Sequence, residues 1–241
     1  MVKGRHCIFF SYSERSAPGR SFFILRLIKS LKSVPLKKAS CLDIGSSYGH
    51  MLDVFTRNGI TVEGVEIVDR LREDLKKRGY QVYKTIAEVP RDNVYDIITF
   101  IDSLNYFEDP VEALSEVRPH LRDNGILVIR IPNRTPFLNL ATWLRLSLNT
   151  SLFLDSKHNL SFKALKIIFE RTGFKLVQVV VKEKGKKPIV DKKGIGMPVY
   201  KRIYGKISDL LCSVLGAKLG KFIAPGLLIF GKPEKPVPGS P

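Results

Sequence analysis

The sequence predicts an α/β fold built on a seven-stranded, mostly parallel sheet with helices on both faces. Three observations predict it. From about residue 39, short apolar runs alternate with helix-like segments, which is the pattern of βαβ units. The first run ends in a turn with the spacing Gly45-x-x-x-Gly49, and the second run ends in a carboxylate, Glu66. A chain of 241 residues can bury one substantial core, so one domain with additions is expected.

The elements follow in order. Ala39 to Ile44 reads as a buried strand, and His50 to Asn58 as a helix closed by Gly59 in the left-handed position after its end. Thr61 to Val65 is the second strand. The next helix, near Asp69 to Arg78, carries acid early, Lys76, Lys77 and Arg78 in its last turn, and Gly79 beyond, an order that complements the helix dipole. Gln81 to Lys84 is a short third strand, and Tyr95 to Ile101 a strong fourth. Asp109, Pro110 and Glu112 then form a helix start with Asp as N-cap and Pro at the first position, predicting a helix to about His120. Asn124 and Gly125 turn the chain into a fifth strand, Ile126 to Ile131. Ser161 caps a helix ending at Gly173, Phe174 to Val181 is the sixth strand, and Leu227 to Phe230 the last.

Three segments lie outside the alternation. Arg20 to Ser33 sets Phe23, Ile24, Leu27, Ile28 and Leu31 on one face and Arg26, Lys29 and Lys32 on the other, as in an amphipathic helix. Phe137 to Leu154 is densely apolar around Trp143. Tyr200 to Ile223 has apolar residues at helical spacing opposite Lys201, Arg202, Lys206 and Lys221. The expected organisation is an N-terminal helical cover over 1–38 and a single domain over 39–241. That domain carries an apolar insert, 137–157, and a helical insert, 198–224, before the last strand. Basic amphipathic helices therefore stand at both the N-terminal and the C-terminal side.

Charge has the same division. The net charge is +17, yet residues 41 to 181 hold eighteen basic and eighteen acidic side chains. The excess sits in residues 1 to 40, with nine Lys/Arg against one Glu, and in residues 182 to 241, with thirteen against four. Basic flanks on a balanced centre suit an anionic partner, either a membrane surface or a nucleic acid, or are simply a solvated surface. The three cysteines, Cys7, Cys41 and Cys212, make no CxxC pair, so neither a disulfide framework nor a zinc site is expected and the metal expectation is none. The apolar run Cys7 to Phe10 is too short for a signal peptide, and no stretch is long enough to span a bilayer. The expectation is a cytoplasmic protein, with peripheral contact at the inner face of a membrane as an option.

Cys41 to Asp53, CLDIGSSYGHMLD, runs from a strand ending in an acid through a glycine turn into a helix. Open α/β sheets bind ligands at that edge. The pyrophosphate fingerprint G-x-G-x-x-G is absent, which disfavours a nicotinamide or flavin dinucleotide, and no P-loop exists. Glu66 stands where a carboxylate can accept both ribose hydroxyls.

These motifs resemble those of the class I S-adenosylmethionine (SAM)-dependent methyltransferases, whose sheet is Rossmann-like. D-I-G-S-S-Y-G-H is similar to the family's first motif, D-x-G-x-G-x-G, and V-E-G-V-E-I to its second. The block from Tyr95 to Asn133, with its D-P and L-x-x-x-G elements, resembles the fourth-to-fifth-strand region. H-N-L-S-F-K-A-L-K-I-I-F-E-R-T-G-F is similar to a segment of the branch that includes quinone, lipid and glycan O-methyltransferases. The resemblance covers roughly residues 39 to 181 and the last strand. It implies that SAM is the cofactor, that Asp43, Gly45, Ser46 and Gly49 line its methionine and ribose portion, and that Glu66 holds the ribose. Ile67 and Ala87 would flank adenine, with Asp102 and Ser103 closing the pocket. Two departures stand out: Ser47 occupies the middle-glycine position, and Asn105 and Tyr106 replace the Glu-His common in this branch.

Methyl transfer from a sulfonium is an in-line displacement that needs positioning more than proton transfer. For a hydroxyl acceptor a general base adds rate, and His158 is the candidate base, with an acceptor contact or a structural role as its other readings. Tyr106 and Asn133 are candidate acceptor-binding residues, and Tyr12 and Arg20 belong with the N-terminal cover. His50 and His120 read as structural. The function expected is O-methylation of a small-molecule, lipid or glycan acceptor. The alternatives are an RNA methyltransferase, on the charge alone, and a non-catalytic SAM-binding homologue, on the two departures.

Overall fold

A computed structural model describes residues 6–31, 34–36, 38–132, 156–180 and 226–234, with side chains described from residue 19 onward. The chain forms α1 (His6–Leu31), β1 (Ser40–Ile44), α2 (His50–Arg57), β2 (Thr61–Val65), α3 (Asp69–Lys77), β3 (Gln81–Tyr83), β4 (Tyr95–Ile101), α4 (Pro110–Val117), β5 (Leu121–Pro132), α5 (Phe162–Arg171), β6 (Phe174–Val180) and β7 (Gly226–Pro233). The seven strands form one mixed sheet in the order β3-β2-β1-β4-β5-β7-β6. The segments Phe137 to Leu154, Val181 and Tyr200 to Ile223, and with them the expected inserts and C-terminal helix, lie outside the described residues.

The described chain divides into two compact units, one of residues 6–99 and 119–126, the other of 100–118, 127–180 and 226–234. In the first unit β1 pairs with β2 and β2 with β3, all parallel. Ile44 lies opposite Val65, and Val65 opposite Tyr83, so these three strands end level. The residues that follow, Gly45, Glu66 and Lys84, therefore emerge side by side at one edge. Burial of Cys41, Leu42, Asp43 and Ile44 matches a strand covered on both faces. Helix α2 turns Met51, Leu52, Val54 and Phe55 inward and stops at Gly59, whose φ is +78°. Helix α1 packs against α2. It is longer than expected, starting at His6; within the expected part Ile24, Leu25 and Ile28 are buried, whereas Phe22, Arg26 and Lys29 are exposed.

In the second unit β7 pairs antiparallel with both β5 and β6, which explains its uninterrupted burial from Leu227 to Phe230. Asp109 caps α4 as its residue type predicts, accepting from the amides of Val111 (2.7 Å) and Glu112 (3.3 Å). The helix ends at Val117 rather than near His120. Pro119 has no N–H to continue it, and the carbonyl of His120 is taken by the amide of Tyr95 at 2.7 Å. Ser161 caps α5 through the amide of Ala164 (3.2 Å), and Gly173 closes it at φ +69°. Strand β5 begins five residues earlier than expected, at Leu121, because Asn124 and Gly125 turn inside it. A side chain on Gly125 would stand 2.8 Å from the carbonyl of Arg122.

Candidate functional site

In the first unit, the loops after β1 and β2 are tied to each other by hydrogen bonds. The amides of Gly45 and Ser46 both donate to the carbonyl of Val65, at 2.8 and 3.0 Å. The amide of Ser47 donates to Oε2 of Glu66 at 2.7 Å, and the amide of Val68 to Oε1 at 2.8 Å. Each carboxylate oxygen of this 5% exposed side chain thus has one backbone donor. Just beyond it Ile67 is 69% exposed, and Ala87, on the turn Ile86–Glu88, is exposed as well.

Ser47 resolves the first departure from the family pattern. Its φ is +49°, so serine adopts the left-handed conformation that a middle glycine would take freely, at a cost of about 1 kcal/mol. The amide that this conformation aims at Glu66 needs no particular side chain. Gly49 has no such latitude. With φ at +76°, a Cβ there would collide with Cδ2 of the fully buried Leu75 and come within 3.3 Å of the Arg78 guanidinium.

Asp43 lies under this loop, 3% exposed, and accepts a hydrogen bond from the Thr99 hydroxyl at 2.5 Å. Burial pushes its carboxyl up to about 6; the charge of Glu66 adds to the rise, and the hydrogen bonds from Thr99 and Ser46 oppose it. Burial, with the charge of Asp43, also raises the Cys41 thiol well above its ordinary range, so this cysteine is no nucleophile. The Ser46 hydroxyl donates to the carbonyl of Asp43 at 2.8 Å, in space left by Gly64, where a Cβ would be 2.5 Å from that hydroxyl oxygen. The sequence reading missed Thr99 and Gly64. A lone threonine inside an apolar strand and a glycine between Glu63 and Val65 were the available signals.

In the second unit β4 leads into Asp102, a non-glycine residue at φ +60°. Its amide donates to the carbonyl of Arg130 at 2.9 Å, and its carboxylate forms an ion pair with the guanidinium of the same, buried residue. Arg130 is a third residue that sequence reasoning missed; its signal was one arginine in the apolar run of β5, where a buried charge needs a partner. Ser103 and the turn Leu104–Tyr106 follow. Asn105 is 2% exposed, and its Oδ1 has no hydrogen-bond partner among the described residues, whereas Tyr106 is 46% exposed.

His158 is tied to the same turn. Its amide donates to the carbonyl of Asn105 at 3.1 Å, and its ring Nε2 bonds the carbonyl of Glu108 at 2.9 Å. A carbonyl only accepts, so Nε2 carries the hydrogen and Nδ1 of the neutral ring is the acceptor. Lys157 pairs with the Glu108 carboxylate beside it. His120 is buried with Nδ1 on the carbonyl of Asn93 at 2.9 Å, in line with the structural role expected of it. The predicted site residues therefore fall in two groups. Asp43, Gly45, Ser46, Gly49, Glu66, Ile67 and Ala87 belong to the first unit, and Asp102, Ser103, Tyr106 and His158 to the second. Asn133 lies outside the described residues.

Residues 20–179 match the family model described as a methyltransferase domain. The chain belongs to the methyltransferase-domain family. Among curated relatives, this methyltransferase-domain chain is 24% identical over 133 residues to a ubiquinone biosynthesis O-methyltransferase of Rickettsia felis, a match covering 52% of this chain and 54% of the relative. The chain spans about half the length of the curated relatives it matches. Solved structures share the fold over nearly all of it. A SAM-dependent methyltransferase from Archaeoglobus fulgidus aligns with TM-score 0.62 at 20% identity, covering 93% of this chain and 99% of that one. The plantazolicin methyltransferase BpumL, solved with SAH, aligns with TM-score 0.63 at 17% identity, covering 97% and 91%. A putative methyltransferase bound to the Trm112 activator of Haloferax volcanii aligns with TM-score 0.64 at 13% identity, covering 93% of each chain. At these identities the likeness establishes the Rossmann-like methyltransferase fold. Among the described residues no helix is long and apolar enough to cross a membrane.

Proposed function

We propose that the chain is a SAM-dependent methyltransferase acting on an oxygen of a small-molecule, lipid or glycan acceptor. The carboxylate of Glu66 carries the cofactor half of this reading. An ionised carboxylate offers about four acceptor positions, two on each oxygen. Among the described residues the amides of Ser47 and Val68 take one on each, which leaves one on each for the two hydroxyls of a ribose. The exposed apolar surface of Ile67 and Ala87 suits a purine beside that ribose. The glycine-bearing turn from Gly45 to Gly49 suits the close approach of the rest of the cofactor. SAM supplies, when bound, a methyl group on a sulfonium.

Oxygen as the acceptor rests on the branch resemblance and on the O-methyltransferase relatives. With a hydroxyl acceptor, His158 is the base, using Nδ1, since Nε2 is committed to the Glu108 carbonyl; such a base contributes a factor of about 10² to 10⁴. Asp102 and Ser103 keep the pocket-closing role that the resemblance implies, and Tyr106 and Asn133 keep theirs as candidate acceptor contacts.

Titration calorimetry of the full chain with SAH, the demethylated product of SAM, tests the cofactor half. Glu66→Gln turns an amide NH₂ toward one of the two backbone donors and should weaken binding about a hundredfold. No heat with SAM or SAH, or equal affinity in the variant, overturns the reading. Labelled methyl recovered in RNA rather than on an oxygen of a small molecule, lipid or glycan would overturn the acceptor half.

A further inference from the structure

One helix supports both loops of the nucleoside cradle, with residues spaced three apart. Arg72 in α3 donates from Nη1 to the carbonyls of Glu66 (3.0 Å) and Ile67 (3.3 Å), and from Nη2 to Oδ1 of Asp69 (2.5 Å). Its side chain is only 12% exposed although Ile67 and Val68 beside it are open to solvent. Leu75 fills the space against Gly49. Arg78, at the end of the helix, donates from Nη1 to the carbonyl of Tyr48 (2.8 Å) and from Nη2 to Oδ1 of Asp53 (2.5 Å).

The Arg72 contact acts on the carboxylate through a single peptide plane. The carbonyl of Ile67 and the amide of Val68 belong to the same rigid trans peptide group, with oxygen and hydrogen on opposite sides. Arg72 holds the oxygen; the hydrogen holds Oε1 of Glu66 at 2.8 Å. Rotation of that peptide would remove one of the two donors that set the carboxylate plane. The Arg78 contact has no such link, because the Tyr48 carbonyl belongs to the loop after β1 and the peptide it shares leads to Gly49.

We infer that Arg72 is a positioning residue for cofactor selection: by fixing the Ile67–Val68 peptide it orients the Glu66 carboxylate for a vicinal diol, without touching the ligand. The inference rests on the reading of this cradle as a SAM site. It predicts a division of labour along α3, with Arg72 governing recognition of the ribose hydroxyls and Arg78 governing the glycine loop.

Calorimetry with SAH and its 2′-deoxy analogue separates these roles in the full chain. The wild type should prefer SAH about 10- to 100-fold, as expected for one hydrogen bond to a charged group. Arg72→Ala should reduce that preference to within about threefold, whereas Arg78→Ala should weaken both ligands alike and leave the preference intact. Arg72→Lys should fall between, because an ammonium cannot span two carbonyls and a carboxylate as the guanidinium fork does. If circular dichroism shows the alanine variant unfolded, Arg72→Lys and Arg72→Gln carry the comparison. A full wild-type preference in the Arg72 variants overturns the inference and leaves the cradle reading standing; a wild type that binds neither ligand overturns both.

Discussion

The loops after β1 and β2 and the loop after β4 are held in different ways. In the first pair the chain's own amides tie one loop to the other, those of Gly45 and Ser46 on the carbonyl of Val65 and those of Ser47 and Val68 on the carboxylate of Glu66, while Arg72 and Arg78 brace loop carbonyls from α3. After β4 side chains do much of it, through the pair of Asp102 with Arg130, that of Glu108 with Lys157, and the ring of His158 on a carbonyl. A backbone-held loop tolerates many side chains but few changes in backbone shape. A loop held by side chains tolerates backbone variation better and is sensitive to the loss of single charges. The first suits a ligand of constant shape; the second can be rewritten residue by residue.

Substitutions that separate backbone from side-chain effects can break this contrast. Gly49→Ala places a methyl against buried Leu75 at a left-handed φ and should cost about 3 kcal/mol in urea denaturation. The same change at Gly59, where nothing lies within 4 Å, should cost only about 1 kcal/mol, so equal losses would refute the steric account. Asp102→Ala should cost about 2 kcal/mol, because it strips the buried Arg130 guanidinium of its carboxylate; partial exposure of Asp102 keeps the loss below that of a fully buried pair. A loss under 0.5 kcal/mol would make the loop after β4 as backbone-held as the others.

Asp43 gives the first region a pH signature. Its carboxyl is raised from 3.8 to about 6 in the folded protein, so between those values the folded state binds more protons than the unfolded one. Stability contributed by this group therefore falls as pH rises from about 4 to 6 and stays low above it. Asp43→Asn, which still offers Thr99 an acceptor, should stabilise the protein by about 1–2 kcal/mol at pH 7.5 and remove that part of the slope. An identical pH profile in variant and wild type would contradict it. The smallest effect is expected of Ser47→Gly. Relief of the left-handed φ should raise stability by about 0.5–1 kcal/mol. SAH affinity should stay within about twofold, since the contact belongs to the amide.

Much of the fold was legible because its signals are local. Gly59 and Gly173 after helices, Asp109 and Ser161 before them, and apolar runs of strand length all act within a few residues. Where a distant contact intervened, the expectation slipped: α4 stops short because Pro119 and the Tyr95 amide claim the chain there. At the site, residue types in the motifs marked Asp43, Gly45, Gly49 and Glu66. Thr99 and Arg130 left only one polar residue each in an apolar strand as a sign, because their partners stand 56 and 28 positions away, and the contacts of Arg72 with two loop carbonyls depend on how the loop after β2 folds back on α3.

By itself the order of residue types determined the strand and helix succession, the glycine turn, and the acidic residue that follows the second strand, since each depends on neighbours in the chain. Packing in three dimensions settled that Ser47 takes the conformation of a glycine, that each carboxylate oxygen of Glu66 accepts one backbone amide, and that α3 stands behind both loops. Those properties depend on where donors meet acceptors across the register of β1, β2 and β3, and no local pattern encodes a distance between strands.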